Sequence, residues 1–276
     1  MKPMLSHVFA PHRVIYPCHV QPKLNGVRAL YQAGFFQSRD EIPWNGKVLS
    51  HLATPLRDIF PEHVILDGEL YVHGWPLQRI NAAIAVNRYE PTEESPLVEF
   101  HVFDVVNFTT PFKDRFDAVA QVLADTSKYQ SKVKPVSTRR VFDEGQANDQ
   151  YTWWVEEKYE GMMYRLGHCT YTKPNAGRGI SDKYNRVWHL LKRKDFQDDE
   201  FLIVKVHEGE GKRARMVGAF ECIAKNNKHF MVGSGLTDKE ATYFFEHPPI
   251  NAFVKVKYLT LTSEGIPFNP IVLAVL

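Results

Sequence analysis

The stretch QPKLNGVR, Gln21 to Arg28, presents a single primary amine, Lys23, between a proline and a Leu-Asn-Gly run. A free lysine ammonium titrates near ~10.4, so at neutral pH it is not a nucleophile. Burial or neighbouring positive charge lowers that value and frees the nitrogen lone pair. Arg28 lies close enough in sequence to supply such charge. Gly26, having no Cβ, lets the backbone approach a phosphate. The chemistry this points to is nucleophilic catalysis by an amine.

Further along, other groups fit the same chemistry. FQSRD places Arg39 downstream, and LDGELYV puts Glu69 at a strand bend. FHVFDVV offers Phe103 followed by Asp104. YEGMMYRLG places Glu160 before a glycine and a strand. VWHLLKRKDF carries Lys192 and Lys194 two apart, so on a strand both amines share a face. Taken singly, each piece is ordinary. Lys-Leu-Asn-Gly reads as a solvated hairpin, Glu69 and Glu160 as strand-end carboxylates, and Phe103 as core.

Taken in order, the set resembles the covalent nucleotidyltransferase superfamily of polynucleotide ligases and mRNA capping enzymes. That family runs Lys-x-Asp-Gly, Ser-Arg, Asp-Gly-Glu, aromatic-Asp, Glu-Gly and Lys-x-Lys. The second part of the chain, GKRARMVGAFECIAKNNKHFMVGSGLTDKE and EGIPFNPIVLAVL, resembles the OB domain of small ATP-dependent DNA ligases of bacteria and phages. With no stretch left over that resembles the zinc and helix-hairpin-helix regions of NAD-dependent ligases, ATP is the implied nucleotide.

The resemblance implies that Lys23 attacks the α-phosphate of ATP and becomes a lysyl-AMP. AMP then moves to the 5′-phosphate of a nick in double-stranded DNA, and the 3′-hydroxyl displaces it. It also implies that Gln21 reads the adenine edge and Phe103 stacks on the base. Arg28 would hold a phosphate of the nucleotide or the 5′-phosphate of the DNA nick, and Arg39 is a second candidate for that DNA phosphate. Glu69 and Glu160 would direct a metal ion, Mg²⁺ or Mn²⁺, and Lys192 and Lys194 would grip the α-phosphate and lower the pKa of Lys23. Lys212, Arg213 and Arg215 sit in EGKRAR, a Gly-containing loop suited to following a DNA backbone. The expectation there is a salt-sensitive clamp of two blocks on the duplex.

Two departures from the family pattern stand out. Asn25 replaces the usual Asp, which removes a negative charge beside Lys23 and favours the neutral amine. The final strand reads LAVL, with Ala274 and Leu276 where the resemblance leads one to expect basic residues, so either another basic residue such as Lys255 or Lys257 orients the pyrophosphate or the adenylation step is slow. Two other readings stay open: an RNA ligase of the same superfamily, and a lapsed nucleic-acid-binding module.

Several elements must position these groups. Residues 13–40 read as a hairpin turning at Asn25-Gly26. A strand over 63–74 holds Asp67-Gly68, a signal for a bulge. Strands are expected at 97–108, 132–141, 161–167 and 187–196, and helices at 51–60, 76–88, 113–125 and 150–160. After Phe196 the text turns to short strands (201–209, 214–225, 229–235, 252–262, 270–276) with one helix at 238–248. The fold class is therefore α+β. An ATP-grasp-like nucleotidyltransferase domain, 1–195, precedes a small closed OB-type β-barrel domain, 196–276. The joint is KRKDFQDDE.

The composition is that of an ordinary globular chain: 276 residues, 44% hydrophobic, 24% charged and a net charge of +2. Any nucleic-acid site must come from local clustering of basic residues. Cys18, Cys169 and Cys222 form no CxxC pair, which points away from a zinc knuckle or disulfide framework and towards a reducing, cytoplasmic setting. The N-terminus lacks the apolar run of a signal peptide or membrane span. Trp153, Trp154 and Trp188 read as core or interface. The expected state is a monomer without a membrane partner.

Overall fold

The computed structural model describes residues 1–125, 132–173, 186–194, 196–258, 261–262 and 264–276. It divides into two compact units, Met1–Lys194 and Asp195–Leu276.

The first unit is built on two five-stranded sheets. One has the order β1-β10-β9-β2-β8: Leu5–Val8, Arg186–Arg193, Gly161–Arg165, Cys18–Lys23 and Arg139–Val141. The other has the order β4-β3-β5-β6-β7: Phe35–Ser38, Val27–Gln32, Leu66–Tyr71, Glu99–Val105 and Val133–Pro135. The helices are α1 (Ser50–Ile59), α2 (Leu77–Ile84), α3 (Phe112–Asp125) and α4 (Glu144–Glu156).

Two expectations about these strands fail for one reason. Asn25-Gly26 does not close a hairpin: β2 and β3 belong to different sheets, and the dipeptide carries the chain across. Gly26 serves close packing, since a Cβ there would sit 2.4 Å from the Leu70 carbonyl oxygen and 2.8 Å from Glu69 Cγ. The real hairpin joins β3 to β4 at Ala33-Gly34, with φ of 51° and 89°, the positive values that a tight two-residue turn requires. Likewise, 132–141 is not one strand but β7 and β8, one in each sheet. Pro135 ends the first because it has no N–H to continue a ladder. Each sheet gains an edge by these crossings.

The bulge expected in β5 is present, where the register on β6 shifts between Asp67 and Gly68. The helix expected at 150–160 runs instead over 144–156. Asp143 caps it by accepting from the Gln146 N–H at 2.8 Å. Lys158 then turns with φ 68°, which sets Tyr159 and Glu160 outside the helix.

Strict alternation in β6 buries Phe100, Val102 and Asp104 and leaves Glu99, His101 and Phe103 on the other face. Leu52, Leu56, Ile80, Ile84, Phe100 and Val102 form the core under the β4-β7 sheet. Full burial of one such side chain stabilises by ~1.5–3 kcal/mol. Trp154, Tyr151 and Ala147 of α4 pack on Cys18, Val20, Tyr164 and Leu191 of the other sheet. Trp153 and Trp188 are partly exposed.

The second unit is a five-stranded antiparallel sheet, β13-β12-β11-β14-β15: His229–Val232, Val217–Ile223, Gln197–Glu208, Phe253–Tyr258 and Ile271–Val275. Phe201, Ile203, Phe220, Phe230, Val254 and Val256 form its core. Helix α5 (Asp238–Glu246) starts with a capping box of Thr237 and Glu240. The barrel expected here does not close by ladder pairing. Among the described residues its outer strands meet at one parallel bridge, Ser234 to Ile271, with Val272 N–H donating to the Ser234 carbonyl at 2.8 Å. The chain leaves β13 at Gly233-Ser234-Gly235 for α5 before a longer ladder can form. Gly235, φ +112°, lies so near Val272 that a Cβ would meet its carbonyl oxygen at 2.2 Å. Asp195 at the expected joint, and residues 259–260 of the expected 252–262 strand, lie outside the described residues. Among the described residues no helix is long and apolar enough to cross a membrane.

Candidate active site

Lys23 ends β2, where it pairs with Gly161 at the start of β9. This register places Glu160 against it. The Glu160 N–H donates to the Lys23 carbonyl at 3.0 Å, and Lys23 Nζ donates to Glu160 Oε2. Lys194, just beyond β10, donates to the other oxygen, Oε1, at 3.1 Å. Gly161 makes this approach possible. With φ +151° its backbone lies so close to β10 that a Cβ would sit 2.2 Å from the Arg193 carbonyl oxygen. Burial works to raise the pKa of the Glu160 carboxyl, but Lys23 and Lys194 outweigh it and hold the group below the usual carboxylate range.

A cavity of about 290 Å³ opens beside this pair, lined by Gln21, Lys23, Arg28, Arg39, Glu69, Phe103 and Lys192. Seven residues singled out from the sequence thus line one cavity, and Glu160 and Lys194 adjoin it through Lys23. Lys192 faces it from β10. Burial, then Lys194 and Lys23, lower the pKa of its amine. Glu69 faces it from β5 opposite Arg28 of β3. Burial pushes the Glu69 carboxyl up to about 7, with Lys23 and Arg28 working against the rise and Glu160 adding to it.

Arg28 and Gln21 are held by the protein itself. The Arg28 fork grips Asp67 through Nε at 2.9 Å and Nη2 at 2.6 Å. Asp67 also accepts from the Tyr171 hydroxyl at 2.7 Å. Burial opposes the charge on Arg28 and Asp67 restores it, raising the guanidinium pKa above its usual value. Gln21, on β2, donates to the Phe103 carbonyl and to Thr138, and accepts from Arg165. The Phe103 ring lies 5.3 Å from the Arg28 guanidinium carbon and 5.2 Å from that of Arg165. Asp104, the next residue, points the other way into the core, where it binds Arg115 and Arg165.

Sequence reasoning missed Arg165 and Arg186, which also line the cavity. The signal was present. Arg186 shares parity with Lys192 on β10, and Arg165 shares parity on β9 with Met163, which also lines the cavity. Lys212, Arg213 and Arg215 lie in the second unit, between β11 and β12. Lys212 and Arg215 are exposed. Arg213 is tethered, donating to Asp238 at 3.0 Å. Arg39 is also exposed, near Asp40 at 3.6 Å. Lys255 pairs with Asp198 at 3.0 Å, and Lys257 sits 4.1 Å over the Phe196 ring.

Among the described residues no three His, Cys, Asp or Glu side chains converge as a metal cage. The donor set nevertheless fits a hard divalent cation, which keeps several waters and takes one or two carboxylates together with substrate phosphates. Glu69 supplies such a carboxylate. It makes no side-chain hydrogen bond among the described residues, and the upward push of burial on its carboxyl marks a place where added positive charge is favourable.

The chain matches two family models: ATP dependent DNA ligase domain over residues 3–183, and DNA ligase OB-like domain over residues 208–275. A DNA ligase of African swine fever virus is 30% identical over 239 residues, 81% of this chain and 52% of the viral protein. The chain therefore spans about half the length of that relative. A DNA ligase of Haemophilus influenzae is 24% identical, covering 89% of this chain and 81% of its own. In fold, a Lig E DNA ligase superposes with a TM-score of 0.80 at 20% identity, covering 100% of this chain and 99% of that one. Chlorella virus DNA ligase-adenylate gives a TM-score of 0.56 at 22% identity, covering 100% and 98%.

Proposed function

Because the chain belongs to the ATP-dependent DNA ligase family, we propose that it seals 3′-hydroxyl/5′-phosphate nicks in duplex DNA at the expense of ATP. The observation that carries this reading is the convergence of Lys23, Glu69, Phe103 and Lys192 on one cavity, with Glu160 holding the amine and Lys194 pairing with the second oxygen of Glu160. A stacking ring, a nucleophile and phosphate-binding cations within one cavity suit a nucleoside triphosphate.

In the first step the Lys23 ammonium gives one proton to solvent and its amine forms an N–P bond to the α-phosphorus of ATP, while the bond to the β-phosphate oxygen breaks and pyrophosphate leaves; the nitrogen then releases a second proton to solvent. Glu160 orients the amine beforehand, and Lys192 and Arg186 face the phosphates from β10. Phe103 takes the base by stacking. In the second step a nick 5′-phosphate oxygen displaces Lys23 from AMP. In the third, the 3′-hydroxyl forms the phosphodiester and AMP leaves. All three are phosphoryl-type transfers, in which positioning and charge neutralisation do most of the catalysis. Glu69 and Glu160 would hold Mg²⁺ or Mn²⁺, which when bound supplies charge neutralisation to the phosphates. Exposed Lys212, Arg215 and Arg39 are the proposed contacts to the DNA backbone, and the proposed working unit is a monomer.

Incubation of the chain with α-labelled ATP and Mg²⁺ tests the first step. The expected result is one AMP per chain, lost in Lys23→Ala. Absence of label in the unaltered protein would leave a binding module. Sealing of nicked DNA against nicked RNA then separates the DNA ligase from an RNA ligase.

A further inference from the structure

We infer that Tyr171 is a positioning residue for the reaction: through Asp67 it fixes the plane of the Arg28 guanidinium, and so the edge that Arg28 offers to a phosphate. This rests on the cavity being the nucleotide site.

All the N–H donors of an arginine head group lie in one plane. Arg28 gives its Nε hydrogen and one hydrogen of Nη2 to Asp67, at 2.9 and 2.6 Å. The edge left over is Nη1 with the outer N–H of Nη2, and Arg28 lines the cavity beside Lys23. Such an edge can take two oxygens of one phosphate. A fork seated on both oxygens of a carboxylate is coplanar with it. When the carboxylate turns about the Asp67 Cβ–Cγ bond, the guanidinium therefore turns too. A contact from outside the fork is needed to stop that turn. Tyr171 supplies it, donating from its hydroxyl to Asp67 Oδ2 at 2.7 Å.

The tyrosine is itself anchored. It is 1% exposed and packs with Met4, Val187 and Leu190. Its N–H donates to the Asn107 carbonyl at 3.1 Å, and the Met4 N–H faces its hydroxyl oxygen at 3.4 Å. Burial, then the charge of Asp67, raise the pKa of the phenol well above its usual value, so the hydroxyl keeps its proton and stays a donor. Asp67 is fully buried and cancels the charge of Arg28. The pair thus acts on a phosphate more through the direction of its N–H bonds than through net charge, and direction is what Tyr171 controls.

The test is a double-mutant cycle on the full chain, read in labelling of Lys23 by α-labelled ATP and in sealing of nicked DNA. Arg28→Ala identifies the step that Arg28 serves. Tyr171→Phe, which removes one oxygen, should slow that same step about tenfold in kcat, with KM within about a factor of two. In the Arg28→Ala background it should change the rate by less than about a factor of two, since no guanidinium is left to aim. A residue that only holds the fold would slow both backgrounds alike. Thermal unfolding checks that each variant is folded. Should Tyr171→Phe not fold, Asp67→Asn goes through the same cycle, and failure of both to fold makes the trio purely structural and overturns the inference. Equal losses in the two backgrounds, an unslowed Tyr171→Phe, or no effect of Arg28→Ala on either step overturn it as well and leave the ligase reading intact. Neither label nor sealing by the unaltered chain overturns both.

Discussion

Lys23 and Glu160 are joined twice: Nζ donates to the carboxylate, and the Glu160 N–H donates to the Lys23 carbonyl at 3.0 Å. The main-chain bond fixes where the carboxylate stands, and the carboxylate fixes where the amine points. An amine held in this way is aimed but not free. It must leave its ion pair before it can attack phosphorus.

Glu160→Gln keeps the main-chain bond and the side-chain shape but removes the charge that aims Lys23 and pairs Lys194. The rate of AMP transfer to Lys23 should fall by about 10²–10³-fold, the scale of losing one well-placed electrostatic contact. Initial rates with α-labelled ATP give the number. A rate within a factor of two of the unaltered chain would show that Glu160 has no such part.

Glu69 should make stability depend on pH. Its carboxyl rises from an ordinary 4.5 to about 7 in the folded chain, chiefly through burial. Between those values the unfolded chain has lost a proton that the folded chain keeps, so unfolding releases a proton and stability falls as pH rises, levelling off above about 7. In Glu69→Gln this contribution is absent. The variant should therefore gain stability relative to the unaltered protein from about pH 5 to about pH 8 in denaturant titrations. Glu160 is held below the usual carboxylate range by Lys23 and Lys194, so its own titration lies below this window. A pH-independent difference would refute the assignment.

Asp104 carries structural weight that its neighbour Phe103 does not. Its carboxylate is fully buried and accepts from Arg115 at 2.7 and 3.0 Å and from Arg165 at 2.7 Å. Asp104→Asn leaves two buried guanidiniums short of their counter-charge and should destabilise the chain by about 3–5 kcal/mol. Thermal unfolding measures this. Arg139→Ala, at an exposed position on β8, is the control and should be nearly silent.

The loop between β11 and β12 should contribute to DNA binding unevenly. Lys212 is exposed, whereas Arg213 is tethered to Asp238. Lys212→Ala should reduce the salt slope of nicked-DNA binding by about 1, the release of counterions from one phosphate. Arg213→Ala should change the slope less. Equal slopes in all three proteins would remove this loop from the interface.

The chemistry of the site was legible in residue order, because catalysis needs particular groups: an amine, two carboxylates, a ring and paired lysines. Local rules also found the Asp67-Gly68 bulge and the position of α5, since both depend on neighbours in the chain. They failed at Asn25-Gly26 and in residues 132–141. A turn signal states that the chain changes direction, not which sheet it then joins. The wider pairing that put β2 and β3 in separate sheets is set by distant strands competing for edges.

Residue order alone settled which functional groups exist and that Gly26, without a Cβ, would allow close backbone approach. Only the tertiary structure decided which groups meet. It turned Arg28 onto Asp67, locked Gln21 between Arg165, Thr138 and Phe103, and set Lys23 and Lys194 on the two oxygens of Glu160. The reason is that hydrogen bonds and ion pairs act over about 3 Å, a distance at which residues far apart in sequence are brought together only by packing of the whole unit.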